Sequence, residues 1–186
     1  MAADSFYEQL FKNETQLEKG EYDNCTFENC SLSHFDLSDF VFIECTFINC
    51  DLSLSNLSNT ALKTVSFEKC KLLGLHFEDC NKFLLAMSFS DCILSLSSFY
   101  QLVLKKTRFS NCNLHEVDFT EANLSATHFS QCDFLSAIFE RTNLEKADFS
   151  TSYNYAIRPD NNRIKGATFS RDGLEGLLYH HQIKVL

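Results

Sequence analysis

The sequence predicts an all-β solenoid whose coils are built from sides of five residues. Three observations carry this prediction. Apolar residues recur at every fifth position, a spacing that fits neither a helix, with its period of 3.6, nor a flat strand, with its period of 2. The residue two positions before each of these is small or apolar. Nearly all charged residues occupy the other three positions of each five-residue unit.

The composition indicates one compact domain of 186 residues, because 45% of the residues are hydrophobic and only one is proline. No window holds eighteen uncharged apolar residues, and the N-terminal stretch carries acids where a signal peptide carries basic residues. We therefore expect a soluble, cytoplasmic protein. Its net charge of −9 argues against binding to nucleic acid or an anionic membrane and favours basic proteins as partners.

The period of five extends through two runs, and such a repeat dominates the interpretation of the chain. The first run has thirteen positions from Leu17 to Phe77, and the second has fourteen from Leu84 to Phe149. None of these positions is polar. Because the two runs are seven residues apart instead of five, we predict a two-residue insertion within residues 78–83, with Leu84 as the next inward residue.

Eight of the nine cysteines lie two residues before a position of the five-residue series, and Cys80 continues the same phase after Cys70 and Leu75. The nine cysteines are Cys25, Cys30, Cys45, Cys50, Cys70, Cys80, Cys92, Cys112 and Cys132. The other residues in this phase are small or apolar. The pattern predicts two inward residues in every five, a large one at the centre of a side and a smaller one toward the corner.

Several five-residue units resemble the pentapeptide-repeat consensus, small–Asp/Asn–Leu/Phe–polar–any. Among them are ANLSA (122–126), ADFST (147–151), VDFTE (117–121) and FDLSD (35–39). This resemblance covers about residues 15–170. It implies a right-handed quadrilateral parallel β-helix in which four sides form a coil of twenty residues. We expect about seven to eight coils, whose stacked backbones satisfy each other's hydrogen bonds.

A twenty-residue coil stacks cysteines that are twenty residues apart, such as Cys30, Cys50 and Cys70. We interpret them as buried free thiols. Zinc sites have different cysteine spacings, and a cytoplasmic location disfavours disulfides, although stacked thiols could oxidise in air. The sequence has no glycine-rich phosphate loop and no clustered catalytic triad, so we predict no enzymatic activity, no cofactor and no metal site.

The two ends of the solenoid should carry capping segments. Residues 1–14 are predicted to form an N-terminal cap, followed by the β-helix over residues 15–170, whose last coil carries a loop. Residues 171–186 are predicted to form a short C-terminal α-helix, with Ser170 as its N-cap, and a final strand. We expect this segment both to cover the last coil and to form a two-fold homodimer contact. The predicted dimer-contact residues are Leu174, Leu177, Leu178, Tyr179, Ile183 and Val185.

Within the pentapeptide-repeat family the chain is similar to the topoisomerase-interacting branch, which includes the Qnr, albicidin-resistance and microcin-immunity proteins. The similarity lies in the early segments FENCSL and FIECTFINC, the central EDCNKFLLAMSFSDC and the closing NYAIRPDNNRIKGATFS. It implies a protein that looks like B-DNA, dimerises through its C-terminus and binds the DNA-gate saddle of gyrase or topoisomerase IV. The insertion is shorter than the projecting loops of the longest members.

One side of the predicted coil is markedly acidic. This acidic side is centred on positions 17, 37, 57, 77, 99, 119 and 139. Its carboxylates are Glu18, Asp36, Asp39, Glu78, Asp79, Asp118, Glu121 and Glu140. Eight acids against Lys19 and Arg141 give a net charge of −6, whereas the side that begins at Tyr22 sums to zero.

Two functions remain open from the sequence. The acidic side could bind a type II topoisomerase, DNA gyrase or topoisomerase IV, and modulate it or protect it against antibiotics or toxins. Alternatively, the solenoid could be a scaffold or adaptor for another protein partner. The acids could also simply keep the rod soluble.

Overall fold

The structure, a computed structural model, describes residues 4–184. The chain forms a parallel β-solenoid of about eight turns with one short C-terminal helix, which confirms the predicted fold class. Every strand pairing is parallel, and each strand pairs with the equivalent side of the next coil. Backbone groups therefore find their partners in neighbouring coils.

Two of the four sides contain regular strands. Sheet one contains β1 (Asp4–Tyr7), β3 (Gly20–Asp23), β5 (Val41–Ile43) and β7 (Ala61–Lys63). Sheet two contains β2 (Leu10–Lys12), β4 (Thr26–Glu28), β6 (Thr46–Ile48), β8 (Val65–Glu68), β9 (Met87–Ser90), β10 (Arg108–Ser110), β11 (His128–Ser130), β12 (Asp148–Phe149) and β13 (Thr168–Phe169). The other two sides consist of turns joined by isolated parallel bridges.

A ladder of phenylalanines runs through the core beneath sheet two. Phe27 pairs in register with Phe47, and Phe47 with Phe67, so one coil contains twenty residues. The ring centroids of these two pairs are 4.4 and 5.3 Å apart, and the ring planes are nearly parallel. The stacked ladder consists of Phe11, Phe27, Phe47, Phe67, Phe89, Phe109, Phe129, Phe149 and Phe169.

The second aromatic column of the core changes sides along the rod. In the early coils Tyr22 and Phe42 lie under sheet one and contact the sheet-two ladder. In later coils the second aromatic residue is on the acidic side, where Phe77 stacks on Phe99 at 4.6 Å and Phe99 on Phe119 at 5.3 Å. Leucines occupy the alternative positions, so a coil retains a similar interior volume, as close packing requires.

The small inward residues make hydrogen bonds as well as packing contacts. The Cys70 thiol donates to the carbonyl oxygen of Phe47 at 3.3 Å. The Ser55 hydroxyl donates to Leu32 O at 2.6 Å, and the Thr142 hydroxyl to Phe119 O at 2.9 Å. All nine cysteines are buried and unpaired as disulfides. Cysteine, serine and threonine therefore serve the same purpose in this phase, which is to satisfy a buried carbonyl of another coil.

The corners of the coils use left-handed backbone conformations. A residue with positive φ recurs two positions after the side centre, as at Asn29 (54°), Thr64 (59°) and Leu96 (62°). Asn tolerates this conformation, whereas it is strained for Thr and Leu. Repeated close turns of this kind form the corners of the square coil.

The strand pairings confine the two-residue insertion to the end of the predicted range and the residues that follow it. Ala61 pairs with Asn81, twenty residues on, whereas Val65 pairs with Met87, twenty-two residues on. The extra residues thus lie within 82–86, which overlaps the predicted range 78–83 at Lys82 and Phe83. The prediction that Leu84 points inward is wrong, because its side chain is 64% exposed. Leu85 packs partly against the core in its place. The extra residues bulge outward where sheet one ends, because neighbouring coils already fill the interior.

The segment predicted as an N-terminal cap belongs to the solenoid itself. Strand β1 pairs with β3, and β2 with β4, which places Phe6 against Tyr22 and Phe11 against Phe27. The register shift is sixteen residues, so this first coil is shorter than the others. The boundary predicted after residue 14 therefore does not separate two structural units.

The C-terminal helical segment lies against the last coil. It consists of a 3₁₀ turn (Asp172–Leu174), α1 (Glu175–Leu178) and a second 3₁₀ turn (Tyr179–His181). The Ser170 hydroxyl accepts a hydrogen bond from Gly173 N at 3.0 Å, and Gly176 O accepts one from Ile157 N at 3.0 Å. A Cβ at Gly173 or Gly176 would overlap Tyr155, so both glycines permit this close approach.

The predicted final strand does not form within the described residues. Gln182 is in a turn with φ of +50°, and residues 183–184 have no strand pairing. The left-handed turn redirects the backbone after the second 3₁₀ turn and prevents an extended continuation. Val185 and Leu186, which complete the predicted strand, lie outside the described residues.

Candidate partner-binding surface

The acidic side is one continuous side of the solenoid. Asp36 forms a parallel bridge with Asn56, and farther along Ser98 bridges His76 to Asp118. These five residues occupy the same position in successive coils. The structure therefore brings Asp36 and Asp118 into one column, although 82 residues separate them in the sequence.

The carboxylates of this side occur in three groups that are separated by coils without acids. The groups are Glu18 with Asp36 and Asp39, then Glu78 with Asp79, and finally Asp118 with Glu121 and Glu140. The intervening coils provide amides. Asn56 Nδ2 donates to Asp36 at 2.9 Å, Asn59 Nδ2 to Asp39 at 2.9 Å, and Gln101 Nε2 to Glu121 at 2.7 Å. The alternation reduces repulsion between stacked carboxylates.

These hydrogen bonds favour the ionised form of the acids. The pKa of Asp36 is lowered chiefly by hydrogen bonds from Ser38, and that of Asp39 by the Asn59 amide and then Lys19. The pKa of Glu121 is lowered by the Gln101 amide and then Arg141. All three carboxylates are therefore negatively charged at neutral pH.

Two cations lie on the acidic side, and both pair with its carboxylates. Lys19 Nζ is 2.9 Å from Asp39 Oδ2, and Arg141 binds Glu121 Oε1 at 2.7 Å. Such exposed ion pairs contribute little to stability. The two ion pairs leave the acidic side with a net charge of −6. Its carboxylates can therefore pair with cations of a binding partner.

Accessibility differs among the eight predicted acids. The exposed acids are Glu18, Asp36, Asp39 and Asp79, and the partly buried acids are Glu78, Asp118, Glu121 and Glu140. Glu78 contacts His76 at 3.0 Å, and Glu140 accepts a hydrogen bond from Asn161. The early coils therefore present the more accessible charges.

The predicted dimer-contact residues divide into two sets. Leu177 packs against the core, so it covers the last coil. Leu174, Leu178, Tyr179 and Ile183 are 46%, 38%, 71% and 58% exposed. These four remain open for contact with another molecule, whereas Val185 lies outside the described residues.

Sequence analysis missed a second surface, on the side that begins at Tyr22. The predicted sum of zero, which omits Lys82, conceals a separation along the rod, because Glu21, Asp23 and Glu44 lie in early coils and Lys105 and Lys106 in a later one. The separation can be found by assigning each charged residue to its coil, whereas a sum over the whole side hides it.

Two other kinds of feature, a metal-binding cluster and a membrane-spanning helix, are absent from residues 4–184. This part of the chain contains no group of three or more His, Cys, Asp or Glu side chains arranged to hold a metal ion. None of its helices has the length and apolar character needed to cross a membrane.

The family model for the pentapeptide repeat region matches residues 21–83 and 75–149, which together span more than half of the chain. The chain belongs to the pentapeptide-repeat family. No curated protein matches its sequence. This pentapeptide-repeat protein is similar in fold to two trypsin-treated variants of QnrB1, which is described as a plasmid-mediated fluoroquinolone resistance protein.

The likeness to QnrB1 extends over the whole solenoid. One variant superposes with a TM-score of 0.65 at 19% identity, covering 100% of this pentapeptide-repeat protein and 99% of QnrB1. The second gives a TM-score of 0.64 at 19% identity, covering 100% of both chains. At this level of identity the likeness shows a shared fold.

Proposed function

We propose that this pentapeptide-repeat protein binds a type II topoisomerase, DNA gyrase or topoisomerase IV, through its acidic side. In this role it acts by binding and not by catalysis, and it modulates the enzyme or protects it against antibiotics or toxins. The observation that carries the proposal is the column of ionised carboxylates along one side of a rod. The shared fold with a fluoroquinolone resistance protein supports it.

The dimensions of the rod suit partial mimicry of DNA. Eight turns at about 4.8 Å each give a length of about 38 Å. Duplex DNA of that length carries about twenty charges, since one occurs per roughly 1.7 Å. The acidic side has fewer, so we expect affinity to depend on a few well-placed carboxylates and to weaken with salt.

Supercoiling and relaxation assays with gyrase and topoisomerase IV, with and without a quinolone, test this proposal. We expect inhibition at high protein concentration, or protection from the drug at lower concentration. The Asp36→Lys, Asp118→Lys variant should weaken either effect by at least about tenfold, because it reverses charge twice in one column. A matched control is Asp51→Lys, Glu116→Lys, which makes the same charge change on a neighbouring side.

The alternative role as a scaffold or adaptor is distinguished by the same assays. An absence of effect on both enzymes would exclude the topoisomerase proposal and favour an unrelated protein partner. Equal loss of effect in the control variant would show that total charge, and not the acidic side, determines binding.

The C-terminal end is proposed to join two copies into a longer rod. Sedimentation should give about twice the 21.4 kDa mass of one chain. The Tyr179→Asp, Ile183→Asp variant should sediment as a monomer and remain folded, because both side chains are exposed. Tyr7→Asp, a similarly exposed change at the opposite end, is the control. A wild type that is already monomeric would contradict this arrangement.

A further inference from the structure

Three large apolar side chains are exposed at the middle of the rod, two of them within the insertion and one in the following coil. Phe83, Leu84 and Val103 are 69%, 64% and 60% exposed. Ala61 and Asn81 form a bridge between successive coils. Lys63 lies two residues after Ala61, and Phe83 lies two residues after Asn81. Lys63 and Phe83 thus occupy equivalent positions in successive coils. We call Phe83, Leu84 and Val103 the apolar knob.

Four lysines surround the apolar knob on the same side. Lys63 lies one coil before it, Lys82 lies within the insertion, and Lys105 and Lys106 lie two and three residues after Val103. Lys106 and Leu84 share the left-handed corner conformation, with φ of 60° and 58°. The side therefore presents four positive charges around an apolar centre, a surface that we call the basic patch.

None of the four lysines of the basic patch, Lys63, Lys82, Lys105 and Lys106, forms an ion pair within residues 4–184. The stretches 61–64, 81–86 and 103–106 contain no carboxylate. In a chain with net charge of −9, this is a local reversal of sign.

We propose that the basic patch binds a segment of acidic polypeptide that carries bulky apolar side chains. The carboxylates of such a segment pair with the lysines, while its apolar residues cover the knob and remove Phe83 and Leu84 from water. A nucleic acid fits less well, because its closely spaced phosphates would extend past the next corner onto the acidic side, whereas the few carboxylates of a short peptide can all lie over the lysines. This inference uses a different side from the topoisomerase proposal and does not depend on it.

Fluorescence anisotropy with labelled peptides tests the inference on the full-length protein. The probe is a short peptide that alternates glutamate with leucine and phenylalanine. Its comparison peptides replace the glutamates with lysine, or the apolar residues with serine. A labelled thymidine oligonucleotide tests for nucleic acid. We expect binding of the first peptide alone, at a moderate affinity suited to a small contact area.

Two variants and one control locate the binding surface. Lys105→Glu, Lys106→Glu and, separately, Phe83→Ser, Leu84→Ser should each weaken peptide binding by at least about tenfold. The control is Lys69→Glu, Lys71→Glu, which makes the same charge change at two exposed lysines elsewhere and should leave binding unchanged. Thermal unfolding of each variant verifies that it is folded.

Three results would overturn the inference. They are failure of the wild type to bind the acidic apolar peptide, equal weakening in the control, and oligonucleotide binding that requires Lys105 and Lys106. Topoisomerase assays on the same variants separate the two proposals, because the acidic side is intact in both.

Discussion

At the residue scale, eight of the nine buried thiols donate a hydrogen bond to a backbone carbonyl. Burial raises the pKa of both Cys45 and Cys80 to about 12. These thiols are therefore protonated at neutral pH and are poor nucleophiles. Their interchange with Ser55 and Thr142 in the same role explains why the column tolerates three residue types.

We expect none of the nine cysteines to react with a thiol-specific reagent in the native protein, because all are buried. All nine should react after denaturation. The measurement is absorbance on addition of an aromatic disulfide reagent. Ser110→Cys, which places a thiol at an exposed position on sheet two, is the positive control. Rapid labelling of the wild type would contradict the role of these thiols as buried donors.

The corner residue Thr64 has a β-branched side chain in a left-handed conformation, with φ of 59°. Thr64→Asn should increase the free energy of unfolding by about 1 kcal/mol, because Asn adopts this conformation at lower cost.

Gly74→Ala should decrease the free energy of unfolding, because the φ of Gly74 is +63° and the new Cβ would approach Leu54 Cδ2 to 2.7 Å. Denaturant titration measures the free energy of unfolding of both variants. A Thr64→Asn variant less stable than the wild type would contradict backbone strain at Thr64.

At the scale of elements, the insertion changes how one side is built. Before it, strands β1, β3, β5 and β7 form sheet one, and after it the same side continues through isolated bridges such as Val103 with Asn123. Sheet two continues past the same point without a break, with β8 paired to β9. Extra residues at a surface corner cost little loop entropy, so the solenoid accommodates them locally.

The helix α1 depends on its close contact with Tyr155. We expect Gly176→Ala to displace α1, because the new Cβ would overlap the Tyr155 carbonyl and disturb the Ile157 N to Gly176 O hydrogen bond. Hydrogen exchange should then accelerate over residues 170–184 and remain slow in sheet two. Glu175→Ala, an exposed change in the same helix, is the control. Unchanged exchange in Gly176→Ala would show that this contact does not hold the helix.

At the scale of the whole molecule, charge is distributed unevenly around and along the rod. The acidic side has a net charge of −6, and the basic patch presents four lysines around the apolar knob. Because the two surfaces lie on adjacent sides of a rigid coil, one partner could contact both only by extending around a corner. The separation permits two independent partners.

The hydrogen-bonded carboxylates make stability depend on pH. The pKa values of Asp39 and Glu121 are lowered from ordinary values of 3.8 and 4.5, so the unfolded chain binds more protons than the native chain in acid. Their contribution is present above those values and is lost as the pH falls through the lower native pKa. Asp39→Asn, Glu121→Gln should therefore lower the thermal midpoint at pH 7.

The difference between this variant and the wild type should narrow as the pH falls below about 4, because both carboxylates then become neutral in both states. Thermal unfolding across this range measures it, and Ser110→Ala provides an uncharged, exposed baseline. A difference that grows in acid would contradict the lowered pKa values.

Much of this architecture could be predicted because its pattern is local. The five-residue spacing places Phe27, Phe47 and Phe67 inward. Because each coil contains twenty residues, these three side chains stack on one another. The same arithmetic assigns Asp36 and Asp118 to one side. The family resemblance supplied the number of sides, which spacing alone leaves open.

The sequence by itself determined which residues face inward and how the coils repeat, because side-chain direction depends on a short backbone period that neighbouring residues already define. Only the tertiary structure decided that Leu84 faces outward and Leu85 inward, that residues 4–12 belong to the first coil, and that Gln182 ends the C-terminal segment in a turn. It also brought four lysines together around Phe83. These outcomes depend on competition between coils for the same interior space and hydrogen bonds, which no local spacing encodes.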